Sequence, residues 1–326
     1  MSKLVTIYGG SGFVGRYIAQ RMARQGWRVR VAVRRPNEAL FVKPYGAVGQ
    51  VEPILCNIRD DASVRAAMLG AQAVVNCVGI LNAIGKNSFD AVQHDGAARV
   101  ARIATEEGVQ RLVHLSAIGA DAQSDCAYSR TKALGENAVI ASFPSAVILR
   151  PSVIFGAEDG FFNPLGELAR FTPVMPAAGA ETWFQPVYVN DVAAAAELAV
   201  TGQAAPGIYE LGGPDIDTMR GLIGRLLDVI QRRRLIIGIP FWALRMKAWG
   251  FDMIQKATGG LVPAYISRDQ VKGLRCDNVV TGETGTFADL GITPTAMGAI
   301  LPDYLWRFRP SGQYAAIKDS AKNLKA

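Results

Sequence analysis

The first fifteen residues constrain the fold more than any other stretch of this chain. Lys3-Leu4-Val5-Thr6-Ile7-Tyr8 is apolar and β-branched, and it runs into Gly9-Gly10-Ser11-Gly12-Phe13-Val14-Gly15. A long amphipathic stretch from Arg16 to Gln25 follows. The order reads as strand, tight turn and helix. Gly9 can take positive φ, Gly12 presents no Cβ to a pyrophosphate, and Gly15 lets helix and strand pack closely. The helix N-terminus then directs free N–H groups and a partial positive charge at phosphates. A lone glycine triplet is a weak signal. In this strand–helix context it predicts a dinucleotide-binding turn, with Phe13 and Val14 inside the binding segment.

A second strand, Arg28-Val29-Arg30-Val31-Ala32-Val33, ends in Arg34-Arg35-Pro36. An NAD-binding strand carries an acid here for the adenosine ribose. Two arginines instead would pair with a 2′-phosphate, so the pattern favours NADP(H) over NAD(H). The plainer alternative is that Arg34 and Arg35 are solvated surface charges. A third strand, Val51 to Leu55, delivers Asn57 and Ile58 to the place where an adenine ring is held. A fourth, Ala73 to Gly79, is nearly all apolar, as a buried parallel strand should be, and sets Val78 and Gly79 against the cofactor. A helix over Phe89 to Glu107 and a fifth strand, Arg111 to Ser116, continue the alternation. Strict strand–helix alternation predicts a doubly wound parallel sheet with right-handed crossovers.

Ser116 is followed by Tyr128-Ser129-Arg130-Thr131-Lys132. Residues four apart share one helix face. An adjacent ammonium lowers a phenol pKa. Tyr128 can then exchange a proton during hydride transfer while Lys132 holds the nicotinamide ribose and Ser116 orients a substrate oxygen. Holding the ribose is reason enough for Tyr128 and Lys132 without turnover.

With 326 residues, half of them hydrophobic, the chain can bury one large core or two intimate ones. Cys56, Cys77, Cys126 and Cys276 form no CxxC pair and no metal-ligand spacing, which fits a reducing compartment. His94 and His114 accompany no nucleophile motif and read as structural. No secretory or transit pattern precedes the first strand, so a cytosolic, bacterial-type or already processed protein is expected.

The residues Gly9, Gly12, Gly15, Ser116, Tyr128 and Lys132 resemble the short-chain dehydrogenase/reductase superfamily in its extended or atypical branch. The likeness covers roughly residues 3 to 215. Asn57 stands where that superfamily often has Asp, and Gln93 where a helix Asn often precedes Gly96. The resemblance implies that Arg150-Pro151-Ser152-Val153 passes the nicotinamide and opens a substrate lobe. The phrases RPSVIFG, EDGFFN, FQPVYVNDVA and SRDQVKGL-RCDNVV narrow the likeness to the NADPH-binding accessory subunits of respiratory complex I, the NADH:ubiquinone oxidoreductase. That family implies NADPH held without turnover, complex I subunits near the quinone module as partners, and a peripheral place on the cytoplasmic side of the inner membrane (the matrix side in mitochondria). The alternative is a free NADPH-dependent reductase or epimerase using Ser116, Tyr128 and Lys132.

The C-terminal half carries its own signal. Residues 230 to 275 hold nine Lys/Arg against two Asp, which equals the +7 net charge of the whole chain. Phe241 to Lys256 reads as a helix with Trp242, Met246, Trp249 and Met253 on one stripe. Its charges and Pro240 exclude a transmembrane span. The stripe suits either ordinary core or a membrane or partner surface. Nothing favours nucleic acid. Asn190 or Asp191 is expected to cap an Ala-rich helix, Ser267 a short one, and Thr293-Pro294-Thr295 to begin a last one. The polar tail from Ser311 shows no apolar periodicity. The expected architecture is a Rossmann domain over residues 1–150, rejoined by a strand near 207–213, with a smaller α/β lobe over 151–326.

Overall fold

A computed structural model describes residues 3–83, 85–242 and 268–314. The glycine-rich turn begins as expected. β1 (Leu4–Tyr8) runs through it into α1 (Phe13–Arg24), and β2 (Arg28–Val33) and β3 (Val51–Leu55) extend the sheet to one side. A 3-10 segment, Pro36–Tyr45, links the last two strands. After α2 (Asp61–Met68), the chain crosses to the other side of β1 with β4 (Ala73–Asn76), α3 (Asp95–Glu106), β5 (Arg111–Leu115), α4 (Ala127–Ser142) and β6 (Val147–Pro151). The sheet has seven strands in the order β11-β6-β5-β4-β1-β2-β3, where β11 is Gly207–Leu211. Every pairing in it is parallel. The strand order reverses between β1 and β4, so the crevice beyond their C-terminal ends is the natural ligand site.

Strand alternation divides the core into two layers. Val5, Ile7, Val31, Val113 and Leu149 face α1 and α6 (Val189–Thr201). Leu4, Tyr8, Val74 and Leu112 face α2, α3 and α4, against Val64, Met68, Val100, Ile103 and Val139. α6 returns to the sheet from the C-terminal half. Arg21 of α1 meets Glu197 at 2.6 Å and Asn190 Oδ1 at 3.0 Å.

The second lobe has its own core. β7 (Ile154–Phe155), α5 (Phe162–Phe171), β8 (Val174–Ala178), α7 (Met219–Val229) and α9 (Met297–Leu305) bury Phe155, Phe162, Met175, Leu222, Leu226 and Leu305 together. Three small two-stranded sheets decorate it: β10 (Val187–Tyr188) with β7, β12 (Asp217–Thr218) with β9 (Trp183–Phe184), and β13 (Leu235–Ile239) with β8. α8 (Arg268–Gly273) joins this lobe to the first: its Val271 is buried with Ala178, Ile239 and Phe241.

Several local expectations are corrected. α6 starts at Val189 with no side-chain cap, because Asp191 instead accepts from Thr295 N at 2.6 Å and Thr295 Oγ1 at 3.1 Å. Thr295 therefore pins α9 to α6 and does not cap it; the helix begins at Met297. The expected helix over Phe89 to Glu107 opens with a π-turn, Asp90–His94, before α3. The Trp/Met stripe beyond Trp242, the Ser267 cap and the tail beyond Tyr314 lie outside the described residues. Trp242 itself is 67% exposed. Among the described residues, no helix is long and apolar enough to cross a membrane.

Candidate dinucleotide site

The turn after β1 is built as its glycines require. Gly9 has φ +73°, a left-handed conformation that strains any residue with a Cβ. A Cβ at Gly15 would lie 2.5 Å from Gly9 O and 2.7 Å from Gly10 Cα, so only glycine allows α1 to sit this close to the turn. At Gly12 an added Cβ would meet, among the described residues, only Gly9 O within 4 Å, at 3.1 Å. Gly9 O would have to give by a few tenths of an ångström, far less than at Gly15, and the rest of an added methyl's surroundings are open towards the cleft.

That cleft has a volume of about 250 Å³ and lies at the switch point between β1 and β4. Gly9 and Gly12 line it from the turn, Arg34 from the end of β2, Asn57 and Ile58 from beyond β3, and Val78 and Gly79 from beyond β4. Asn76, at the end of β4, accepts from Val78 N at 3.1 Å and so fixes the rim. Seven of the sequence-predicted cofactor residues thus converge on one cavity. Gly15 is buried within the turn, while Phe13 packs edge-on against Tyr17 and Val14 against the sheet core. Pro151 ends β6, and the Val153 N–H donates to Asn278 Oδ1 at 3.0 Å; neither residue lines the cavity.

The two arginines separate. Arg34 lines the cleft and makes no ion pair among the described residues, whereas Arg35 is exposed and pairs with Glu38 at 3.0 Å. A second cation at the cleft goes unmarked by the sequence reading. Arg59 lines the cleft, held by donation to Lys86 O at 2.9 Å. The logic that selected Asn57 and Ile58 extends to it, since all three follow β3.

Ser116, Tyr128 and Lys132 sit beside the cleft and not in its lining. The Lys132 ammonium donates to Leu115 O at 2.9 Å, and a Cβ on Gly79 would be 3.4 Å from it, so it lies against the cleft's β4 rim. Burial pulls the Lys132 pKa down to about 8, against the opposing charges of Glu136 and Cys77. The expected lowering of the Tyr128 phenol is not found. Burial, with a smaller contribution from Cys126, pushes it up to about 12. The Lys132 ammonium gives one of its three donors to Leu115 O at the end of β5, and Tyr128 packs edge-on against Phe89.

Ser116 is 5% exposed and its hydroxyl has no hydrogen-bond partner among the described residues. A buried hydroxyl left unpaired is costly, so this one is a place for a ligand atom or a bound water. His114 is buried in β5: its ring meets Asn76 Nδ2 at 3.2 Å, its Nε2 has no partner among the described residues, and burial pulls its pKa down to about 3. Asn76 Oδ1 already accepts from Val78 N, so Nδ2 must donate and His114 Nδ1 must accept.

Gln93 ties the site together. Its amide donates to the cleft-lining Ile80 O at 2.7 Å and accepts from Thr131 Oγ1 at 2.8 Å, between Tyr128 and Lys132. The π-turn that carries it packs directly on α4: a Cβ on Gly135 would lie 2.4 Å from Gln93 O.

A parallel sheet with a glycine-rich turn, a switch-point cleft and a Tyr-x-x-x-Lys helix beside it defines an extended short-chain dehydrogenase/reductase fold. The NAD dependent epimerase/dehydratase family model matches residues 5–212, and the chain belongs to that family. Within it, the chain is 33% identical over 316 residues to NADH dehydrogenase [ubiquinone] 1 alpha subcomplex subunit 9, mitochondrial, of Arabidopsis thaliana, covering 95% of this chain and 79% of the relative. A shorter match joins it to a ceramide reductase of Caulobacter vibrioides, 32% identical over 59% of each chain. Among solved structures, that of gox2253 superposes with a TM-score of 0.71 at 18% identity, over 96% of this chain and 99% of the other, which shows a shared fold.

Proposed function

We propose that this chain is a nucleotide-holding accessory subunit of a respiratory NADH:quinone oxidoreductase, and that the nucleotide is NADP(H), kept in place and not turned over. The carrying observation is the extent of the likeness to the Arabidopsis subunit, which runs through both lobes and is not confined to the dinucleotide half. The residues fit the cofactor. Gly9 and Gly12 leave room at the turn, the N-terminus of α1 faces the phosphates, and Arg34 with Arg59 offers guanidinium donors to a 2′-phosphate. Lys132 and Tyr128 would hold the nicotinamide ribose. Holding the ribose is reason enough for both residues without turnover. A ligand bound by the native state alone adds about 2.7 kcal/mol at a hundredfold excess over Kd, so a resident nucleotide is a structural asset in its own right. In this reading the basic residues of 230–275 face the quinone-module subunits or the membrane surface. The protein then sits peripherally on the cytoplasmic side of the inner membrane, or the matrix side in mitochondria.

The partnerless Ser116 hydroxyl favours a second reading, a free NADPH-dependent reductase or epimerase. Bound there, the nicotinamide would supply or accept hydride; Ser116 would orient a carbonyl and Tyr128 would hold the proton. Native electrophoresis of mild-detergent membrane extracts separates the two readings. Co-migration with NADH:quinone oxidoreductase activity, with about one NADPH released per chain, is expected. A chain that stays apart from any large complex overturns the accessory reading. A Tyr128→Phe protein that still carries nucleotide and supports full complex assembly supports a subunit without turnover, and loss of respiratory function with nucleotide retained supports catalysis.

A further inference from the structure

We propose that Asp269 is a positioning residue for the nucleotide site. It clamps the first turn of α4 and so couples the α8 segment to Tyr128. The inference rests on the reading of the switch-point cleft as a dinucleotide site.

A helix begins with four backbone N–H groups that have no partner inside it. α4 itself offers them no carboxylate or hydroxyl cap. Its N-cap residue is Cys126, which makes no side-chain cap, and its first turn has no acidic residue. The missing acceptor comes from 142 residues away. Asp269 Oδ1 accepts from Ala127 N at 2.6 Å, and Oδ2 accepts from Tyr128 N at 2.9 Å. The Cys126 thiol points at the same carboxylate, 3.4 Å from Oδ2. One side chain therefore supplies the N-terminal cap and the negative charge that a helix dipole favours.

The clamp grips the residue that matters. Tyr128 N is one of its two backbone contacts, and Lys132 lies one turn further on. α8 is itself anchored on both sides. Val271 is buried among second-lobe residues, Thr182 Oγ1 donates to Leu274 O at 2.7 Å, and Lys272 Nζ donates to Asp125 O at 3.0 Å. A shift of α8 must therefore move the first turn of α4 or break the cap. α8 also lies within the basic 230–275 stretch, so a partner that grips this stretch can bias nucleotide affinity. By reciprocity, bound nucleotide must then favour the clamped position of α8.

The test uses the full-length chain and titrates both NADPH and NADH into wild type, Asp269→Ala, Asp269→Asn and Thr218→Ala. Thr218 is the control: it caps α7 by accepting from Gly221 N at 3.1 Å, in the second lobe. Its removal costs stability of a similar kind without touching α4. Asp269→Ala is expected to weaken dinucleotide binding about tenfold, Asp269→Asn to recover only part of this, because one acceptor oxygen remains while its NH2 meets the other backbone N–H, and Thr218→Ala to leave affinity within about twofold of wild type. In wild type, saturating dinucleotide should also slow amide exchange across Arg268–Gly273, and in Asp269→Ala it should not. Equal affinities for Asp269→Ala and Thr218→Ala overturn the coupling and leave Asp269 a stabilising cap only. Wild type that binds NADH but not NADPH corrects the proposed cofactor and leaves the coupling to be read with NADH. Wild type that binds neither overturns the cleft assignment and this inference with it.

Discussion

Replacing Gly12 and Gly15 separately by alanine divides the glycine-rich turn into a folding element and a binding element. At Gly15 the new methyl would lie 2.5 Å from Gly9 O, 2.7 Å from Gly10 Cα and 3.1 Å from Gly10 C. All three are backbone atoms of a tight turn whose first residue already has positive φ, so no flexible side chain can move aside. The turn must open by several tenths of an ångström, and overpacking of this kind costs about 1–3 kcal/mol. Alanine's better helix propensity returns at most about 1 kcal/mol. The net expectation for Gly15→Ala is a loss of about 1–2 kcal/mol, visible as a lower urea midpoint in the nucleotide-free protein. Gly12 has φ −68° and ψ 176°, which alanine adopts freely, and its single close neighbour is 3.1 Å away. Its stability should stay within about 0.5 kcal/mol of wild type. Its methyl would instead enter the cleft, and dinucleotide affinity should fall at least about tenfold. Denaturation and fluorescence titration on the two proteins read both numbers. A Gly15→Ala protein as stable as wild type, or a Gly12→Ala protein that binds as tightly, refutes this division.

Arg34→Asp should lower NADPH affinity about tenfold or more while NADH binding holds, because a charge-assisted bond to the 2′-phosphate is worth about 1.5–3 kcal/mol. Arg35→Ala should leave both within about twofold, since Arg35 is exposed outside the cleft and its surface pair with Glu38 is weak. If Arg35 carries the discrimination, the assignment from the cleft is wrong. Lys132 sets a pH trend. Its folded pKa of about 8 lies below that of an unfolded lysine, so the unfolded chain binds the extra proton between the two values. The nucleotide-free wild type should therefore gain stability relative to Lys132→Met as pH rises from about 8 to about 10. Thermal midpoints of the two proteins across that range check the sign, and a relative loss would contradict a buried, destabilised ammonium.

The Rossmann half was legible because its signals are local. Apolar runs of four to six residues, glycines at a spacing of three and a Tyr-x-x-x-Lys helix each depend on near neighbours, so backbone sterics and side-chain periodicity suffice to place β1 to β6 and their helices. The same locality placed Gly9, Gly12, Arg34, Asn57, Ile58, Val78 and Gly79, since each follows a strand whose C-terminal end faces the switch point. The caps failed for the opposite reason. Asp191 looked like a helix cap and is used on Thr295; Asp269, one of two acids in a basic stretch, caps a helix 142 residues earlier. A carboxylate takes whichever unpaired N–H groups the packed chain brings to it.

Sequence by itself determined the parallel sheet, the dinucleotide turn and the strand ends that line the cleft, because these follow from periodicity and from where glycine alone fits. Only the tertiary structure decided the charges. It turned Arg35 away to Glu38, brought Arg59 to the rim, buried Lys132 until its pKa fell and left the Tyr128 phenol raised. The physical reason is range. Sterics and backbone hydrogen bonds act between near neighbours in the chain, whereas desolvation and Coulomb interactions depend on what lies nearby in space.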